Sequence, residues 1–393
     1  MHTLTAECMF DGRTFRPGPW RIQIDGGKIS NVLPLAPADA ASRDGRTILP
    51  GLIDAHVHLT LDASMDPVGR LLESRRDERI SRAEQHGRVL LAAGVTTVRD
   101  CGSPPDLVPR LQALGGQSRR GPHVLCAGMP VTTPNGHCHF FGAGTAEGRE
   151  ADAVDRFARD GVDFIKVMVT GGGLTPGSNP QRLQYDDAAV RRIVTAADRR
   201  TLPTVAHVHT EEGILAAVRA RVRSIEHATG LRPEGIGVGP DVADALRDSG
   251  IYVTPTLSGF LRACRRGVRG VQRTINSPDP ERLVDQRLDA VDALIAAGVR
   301  LVAGTDAGTR LIAFDDLGDE VRALRAAGLP TEDCLAAATS LAAACLDLPD
   351  AGWIRPSASA DLITVRGNTP DAVLERLGAP DLVLIGGEEV YRA

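Results

Sequence analysis

Ile48-Leu49-Pro50-Gly51-Leu52-Ile53-Asp54-Ala55-His56-Val57-His58 is an apolar run that closes on two imidazoles one residue apart. Alternate side chains of a strand point to the same side, so a strand through this run aims His56 and His58 at one point. Working outward, short apolar segments of the same kind recur. Strands are expected at 48–53, 96–98, 123–126, 164–169, 204–206, 224–226, 251–254 and 300–303. Amphipathic stretches such as 188–199 and 280–297 lie between them. Several end at a glycine that leads into the next strand, as in Ala92-Ala93-Gly94-Val95 and Ala296-Ala297-Gly298-Val299. Eight strands alternating with helices over about 250 residues predict an α/β fold, a (β/α)8 TIM barrel. No Gly-rich dinucleotide turn follows the first strand, which argues against an open doubly wound sheet.

The two ends of the chain read differently from its middle. Trp20-Arg21-Ile22-Gln23-Ile24 runs into the hairpin signal Asp25-Gly26-Gly27, and Asp381-Leu382-Val383-Leu384-Ile385 runs into Gly386-Gly387. Residues 1–50 and 355–393 are therefore expected to form one small β-sandwich domain, with the barrel, 51–354, inserted between them.

Composition narrows the function. The 393 residues carry a net charge of −5 and no dominant basic cluster, so no nucleic-acid partner is implied. Seven cysteines without paired spacing fit a reducing compartment. With neither a signal-peptide pattern nor a membrane-spanning apolar run, the cytoplasm is the expected location. The expected partner is a small-molecule substrate, with homo-oligomerisation left open.

Barrel chemistry sits where the strands end at their C-terminal face. Those ends carry His56 and His58, Lys166, His207, His227 and Asp306, in order. Singly, each histidine is an ordinary core residue, and Asp306 in Gly304-Thr305-Asp306-Ala307-Gly308 is an ordinary helix cap. Together they are a donor set suited to zinc and similar ions. Lys166 stands out further. Of 45 basic residues only Lys28 and Lys166 are lysine, so a lysine that persists is a candidate for chemistry that arginine cannot perform. Within the apolar Phe164-Ile165-Lys166-Val167-Met168-Val169, a neutral amine can add CO2 to give a carbamate able to bridge two cations.

These segments resemble the amidohydrolase superfamily, in its imidazolonepropionase-like and Xaa-Pro dipeptidase-like branch. The resemblance rests on Pro50 to His58, Gly94-Val95-Thr96-Thr97-Val98-Arg99-Asp100, Gly161 to Met168, Ser224-Ile225-Glu226-His227, Pro255-Thr256-Leu257, Gly304 to Gly308 and Ala360-Asp361-Leu362-Ile363. It implies a centre of two divalent metal ions, zinc being expected. His56, His58 and Asp306 would hold the first, His207 and His227 the second, and N-carboxylated Lys166 both. It further implies a metal-bridged hydroxide as nucleophile and Asp306 as its proton acceptor. His137 and His139, in Gly136-His137-Cys138-His139, match a pocket-lining segment and are expected to orient substrate or stabilise the oxyanion. His209 is expected near the barrel mouth as a supporting group, and 171–180 as a lid or a plain loop. The run Arg262, Arg265, Arg266, Arg269 and Arg273 reads first as a solvated helix face and second as a selector of anionic substrates.

The activity implied is cleavage of an amide or peptide C–N bond in an N-acyl amino acid, an Xaa-Pro-like dipeptide or a cyclic amide. A mononuclear deaminase is the alternative, because His209-Thr210-Glu211-Glu212 fits the His-x-x-Glu pattern of that class. A non-catalytic scaffold is disfavoured, since no ligand position is missing.

Overall fold

The structure is a computed structural model and describes residues 2–36, 45–116, 121–268, 275 and 279–393. The chain opens with β1 (His2–Phe10), β2 (Phe15–Asp25), β3 (Lys28–Pro34) and β4 (Arg46–Pro50). Its middle carries β5 (Leu52–Val57), β6 (Val95–Asp100), β7 (His123–Cys126), β8 (Ile165–Met168), β9 (Thr204–Val208) and β10 (Ser224–His227). There follow the two-residue strands β11 (Leu231–Arg232) and β12 (Gly235–Ile236), then β13 (Tyr252–Thr254) and β14 (Arg300–Leu301). It closes with β15 (Leu362–Arg366), β16 (Leu382–Ile385) and β17 (Glu388–Arg392).

Both ends of the chain enter one seven-stranded sheet, ordered β17-β16-β15-β4-β1-β2-β3. Its two outer hairpins turn on glycine pairs. Gly26 and Gly27 have φ of 57° and 80°, and Gly386 and Gly387 have 54° and 75°, values that a tight hairpin demands and L side chains resist. Ile22, Ile24, Ile29, Ile48, Leu362 and Leu384 gather in an apolar cluster belonging to this sheet. Gly51 alone separates β4 from β5. A Cβ there would lie 2.2 Å from Thr96 Oγ1, so only glycine lets the chain cross from one sheet to the other at this point.

The eight parallel strands of the middle lie in two sheets, β5-β6-β7 and β8-β9-β10-β13-β14. Hydrogen bonds span the gaps between them. Val131 N–H donates to Lys166 O (2.7 Å) and Met168 N–H to Val131 O (2.9 Å) on one side. On the other, Ala55 N–H donates to Ala303 O (3.0 Å) and His58 N–H to Ala307 O (2.8 Å). Helices alternate with the strands. Pro280–Ala297 starts on an Asp279 side chain that caps Glu281 and Arg282 N–H, takes proline at its first position and stops at Gly298, whose φ is 82°. Asp187–Asp198 buries Val190, Ile193, Val194 and Ala197 along one stripe. No helix among the described residues is long and apolar enough to cross a membrane.

Candidate metal centre

The C-terminal ends of the parallel strands converge on one cavity lined by His56, His58, Lys166, His207, His227 and Asp306. Strand geometry delivers the first five. His227, the last residue of β10, and Asp306, beyond β14, both adopt left-handed backbone, with φ of 72° and 65°. Such values strain a side-chain-bearing residue. At Asp306 the turn is fixed by its own N–H donating to His56 O at 2.8 Å.

Three acceptors meet on the β5 side. His56 Nε2 and His58 Nε2 lie 3.4 and 3.2 Å from Asp306 Oδ1. The opposite nitrogens are already committed, His56 Nδ1 to Glu226 Oε2 at 2.8 Å and His58 Nδ1 to the carbonyl of Gly102 at 3.2 Å. Since those oxygens can only accept here, both Nδ1 atoms carry a proton, and in the neutral form of each ring Nε2 presents its lone pair to the carboxylate. Lone pairs and a carboxylate at this spacing repel unless a cation lies among them. Burial favours neutral His56 and, with the Lys166 charge, lowers its pKa to about 4. Burial works against ionising Asp306, whereas positive charge around it, on His56 and His58 when they are protonated and on Lys166, lowers its carboxyl below the usual range.

Behind His56 runs a fully buried ionic chain. Glu226 Oε1 accepts from Arg99 (2.8 Å) and from the Ser224 hydroxyl (2.8 Å). Burial opposes the Glu226 charge, but Arg99, Lys166 and His56 hold its pKa well below the usual carboxylate range. Arg99 in turn donates to Ala55 O at 2.7 Å. Asp54, pushed up to about 7 by burial, accepts from the Thr305 hydroxyl at 2.7 Å and joins β5 to the segment bearing Asp306.

The β9–β10 side carries no carboxylate. His207 Nε2 is bound to Gly171 O (3.1 Å), His209 Nδ1 to Thr229 Oγ1 (2.8 Å) and His227 Nδ1 to Thr256 Oγ1 (2.7 Å). One nitrogen of each ring lies within 4.8 Å of one nitrogen of each of the others. Burial drives all three toward the neutral form, His209 to about 3 and the other two well below the ordinary value. Neutral imidazole is the form that binds metals.

Between the two groups lies Lys166, 1% exposed, its Nζ without a hydrogen-bond partner among the described residues. An amine buried without a partner is costly, and a cation there adds to its own repulsion from any bound ion. The donor set thus fits divalent metal, and it fits best if the lysine is neutral or converted to an anion.

The remaining expected residues divide. His137 lines the cavity, its ring centroid 4.6 Å from that of His207. His139 is half-buried, is not among the cavity-lining residues, and bonds through Nδ1 to Gly136 O at 2.9 Å. Gly173 and Leu174 of the 171–180 segment line the cavity. Arg262 does not. Its guanidinium is held by Asp316 and, at 2.9 Å, by Asp319, while Gly259, Phe260 and Ala263 are the residues of its helix that reach the cavity. Arg265 and Arg266 are exposed and, with Arg262, line a separate surface hollow, and Arg269 and Arg273 lie outside the described residues. Glu212, the carboxylate of the His-x-x-Glu pattern, is exposed on helix Glu211–Ala220 and is not among the lining residues.

Sequence reasoning missed Glu226, Arg99 and Arg287. Arg287 is fully buried and donates to the carbonyls of His227 and Pro255, each at 2.7 Å. The signal for the first two was available, because a charged residue inside an apolar strand is the feature that singled out Lys166.

The amidohydrolase family's sequence pattern matches residues 47–390. An uncharacterized protein of Mycobacterium tuberculosis is 28% identical over 368 residues, 93% of this chain and 91% of its own. An ochratoxinase of Aspergillus niger is 27% identical over 286 residues, 66% of this chain and 58% of its own. Among solved structures, a Xaa-Pro dipeptidase with methionine bound in its active site is 26% identical with a TM-score of 0.83, covering 100% of this chain and 99% of that one.

Proposed function

The chain belongs to the amidohydrolase family, and from that premise we propose that it is a binuclear metal-dependent hydrolase of amide or peptide C–N bonds in small substrates. N-acyl amino acids, Xaa-Pro-like dipeptides and cyclic amides are the candidate classes; the likeness to a Xaa-Pro dipeptidase and to an ochratoxinase supports this choice. We read the eight parallel strands as one (β/α)8 barrel spanning 51–354, and the sheet built from 1–50 and 355–393 as the family's β-sandwich. The observation that carries the reading is the convergence of neutral imidazole nitrogens and one ionised carboxylate around an unpartnered buried amine.

When bound, two divalent ions, zinc being the expected one, supply Lewis-acid polarisation of the scissile carbonyl and a lowered pKa for attacking water. His56, His58 and Asp306 would hold one ion, and His207 and His227 the other. Lys166, as a carbamate formed from its neutral amine and CO2 with loss of a proton, would supply the anionic donor between the two groups of histidines. Asp306, ionised at neutral pH, takes a proton from the attacking water and returns it to the leaving nitrogen. Glu226 fixes the His56 ring so that Nε2 alone faces the cavity. His137 stands at the cavity wall where it can orient the carbonyl oxygen. Phe260, Leu174 and Ile312 add apolar surface to the cavity wall, against which the apolar part of a substrate would pack.

The test is metal analysis by plasma mass spectrometry alongside a screen of the three substrate classes. Two equivalents per chain, with turnover abolished by a chelator and restored by zinc, is the expected result. One equivalent together with ammonia release from an amino-substituted ring would establish the deaminase instead.

A further inference from the structure

We propose that His209 is a third imidazole ligand of the metal position formed by His207 and His227. The proposal rests on the binuclear reading above for the existence of that position, and adds a donor to it.

The case begins with β9. His207 ends one side of the strand and His209 follows at i+2, so both rings project to the same face. They meet His227 arriving from β10. The three ring centroids are 4.5 Å apart for His207 and His209, 4.6 Å for His207 and His227, and 4.8 Å for His209 and His227. One nitrogen from each falls within 4.8 Å of the other two.

Second, every ring is pinned from behind. The Gly171 carbonyl takes the Nε2 proton of His207 and leaves Nδ1 to the cavity. The Thr256 hydroxyl donates to Pro255 O at 2.7 Å, so it accepts the Nδ1 proton of His227 and leaves Nε2. His209 is likewise anchored through Nδ1, on Thr229 Oγ1 at 2.8 Å, which leaves Nε2 as its other nitrogen. An oxygen partner on the outer nitrogen is the usual way a ligating histidine is oriented. A histidine that merely filled core space would not need its second nitrogen turned toward two others.

Third, His209 is 3% exposed and lines the same cavity as His207 and His227. No carboxylate side chain stands in this group, so an anionic donor to a cation there would come from Lys166 as its carbamate, and His209 would add a further neutral imidazole to those of His207 and His227.

The experiment loads metal-free protein with zinc and measures each equivalent by competition with a chromophoric chelator, comparing wild type, His209→Gln and Thr229→Val. Folding is checked by circular dichroism. Thr229→Val keeps the imidazole and removes only its anchor, so it stays informative if His209→Gln fails to fold. Expected are loss of the weaker equivalent in His209→Gln by about a hundredfold or more, and about 10- to 100-fold weakening in Thr229→Val, with the tighter equivalent unchanged in both. Two equivalents bound with wild-type affinity in either variant would overturn the assignment. The wild-type stoichiometry tests the binuclear reading separately. If wild type binds a single equivalent, that reading falls, while His209 stands or falls on whether His209→Gln releases the remaining ion.

Discussion

The two sides of the centre are supported by different chemistry. On the β5 side the rings stand against charge: Asp306 faces both, and Glu226 with Arg99 behind it backs His56. On the β9–β10 side the rings stand against hydroxyls and a carbonyl, from Thr229, Thr256 and Gly171. The first side supplies part of the negative charge that a divalent cation needs. The second supplies lone pairs and no charge. The difference teaches where an added anion matters most, and Lys166, between them, is the residue that can become one.

Lys166→Arg is therefore the severest test. Arginine keeps the positive charge, cannot lose its proton and cannot form a carbamate. Hydrolysis should fall by about a thousandfold or more, as expected when metal stabilisation worth several kcal/mol is lost. Metal on the neutral side should be lost first. Lys166→Ala should recover part of both when formate or acetate is added, the small carboxylate filling the gap. Wild-type turnover and two bound metals in Lys166→Arg would remove the distinction between the two sides and make the lysine structural.

A milder pair of variants separates the two kinds of support. Glu226→Gln leaves Arg99 buried without its counter-charge, so about 3–5 kcal/mol of stability should go with it, along with about 10- to 100-fold in metal affinity. Thr256→Val removes a neutral anchor of similar shape. It should show a comparable loss of metal affinity but only about 1 kcal/mol of stability. Urea denaturation of the metal-free proteins and chelator competition of the loaded ones make the measurement. Equal stability losses in both variants would mean that the ionic chain behind His56 carries no special weight.

Much of this is legible in the sequence. Short apolar runs and glycine-ended helices mark most of the parallel strands within a few residues: 204–206 became Thr204–Val208, and 280–297 coincides with Pro280–Ala297, whereas 48–53 straddles Gly51 and divides between β4 of the terminal sheet and β5. The donors His56, His58, Lys166, His207, His227 and Asp306 were readable because they recur at strand ends, and the structure brings them to one cavity. What escaped was whatever depends on partners distant in sequence. Arg99 and Glu226 are 127 residues apart, and nothing local pairs them. Arg262 looked available on a helix, and only the fold supplies Asp316 and Asp319 to hold it. His209 was visible as a residue, but its turn toward His227 depends on Thr229, which belongs to the following loop.

The smallest expected effect concerns the loop after β7, where the sequence favoured His137 and His139 alike. Their positions differ in the way the two sides of the centre do, by what lies opposite each ring. His137 faces the cavity beside His207, and a Cβ on Gly172 would fall 2.3 Å from its Nε2, so glycine there is what admits the ring. His139 turns back onto the carbonyl of its own turn, where losing it removes one partly exposed hydrogen bond. His137→Ala should lower kcat by about 10²–10³, the range for losing one oxyanion-stabilising group, with metal content unchanged. His139→Ala should leave kcat/KM within about threefold of wild type and change stability by about 1 kcal/mol or less. Steady-state kinetics on one substrate decides between them, because a His139→Ala enzyme as impaired as His137→Ala would mean that the loop reorganises around bound substrate and brings the outer histidine in.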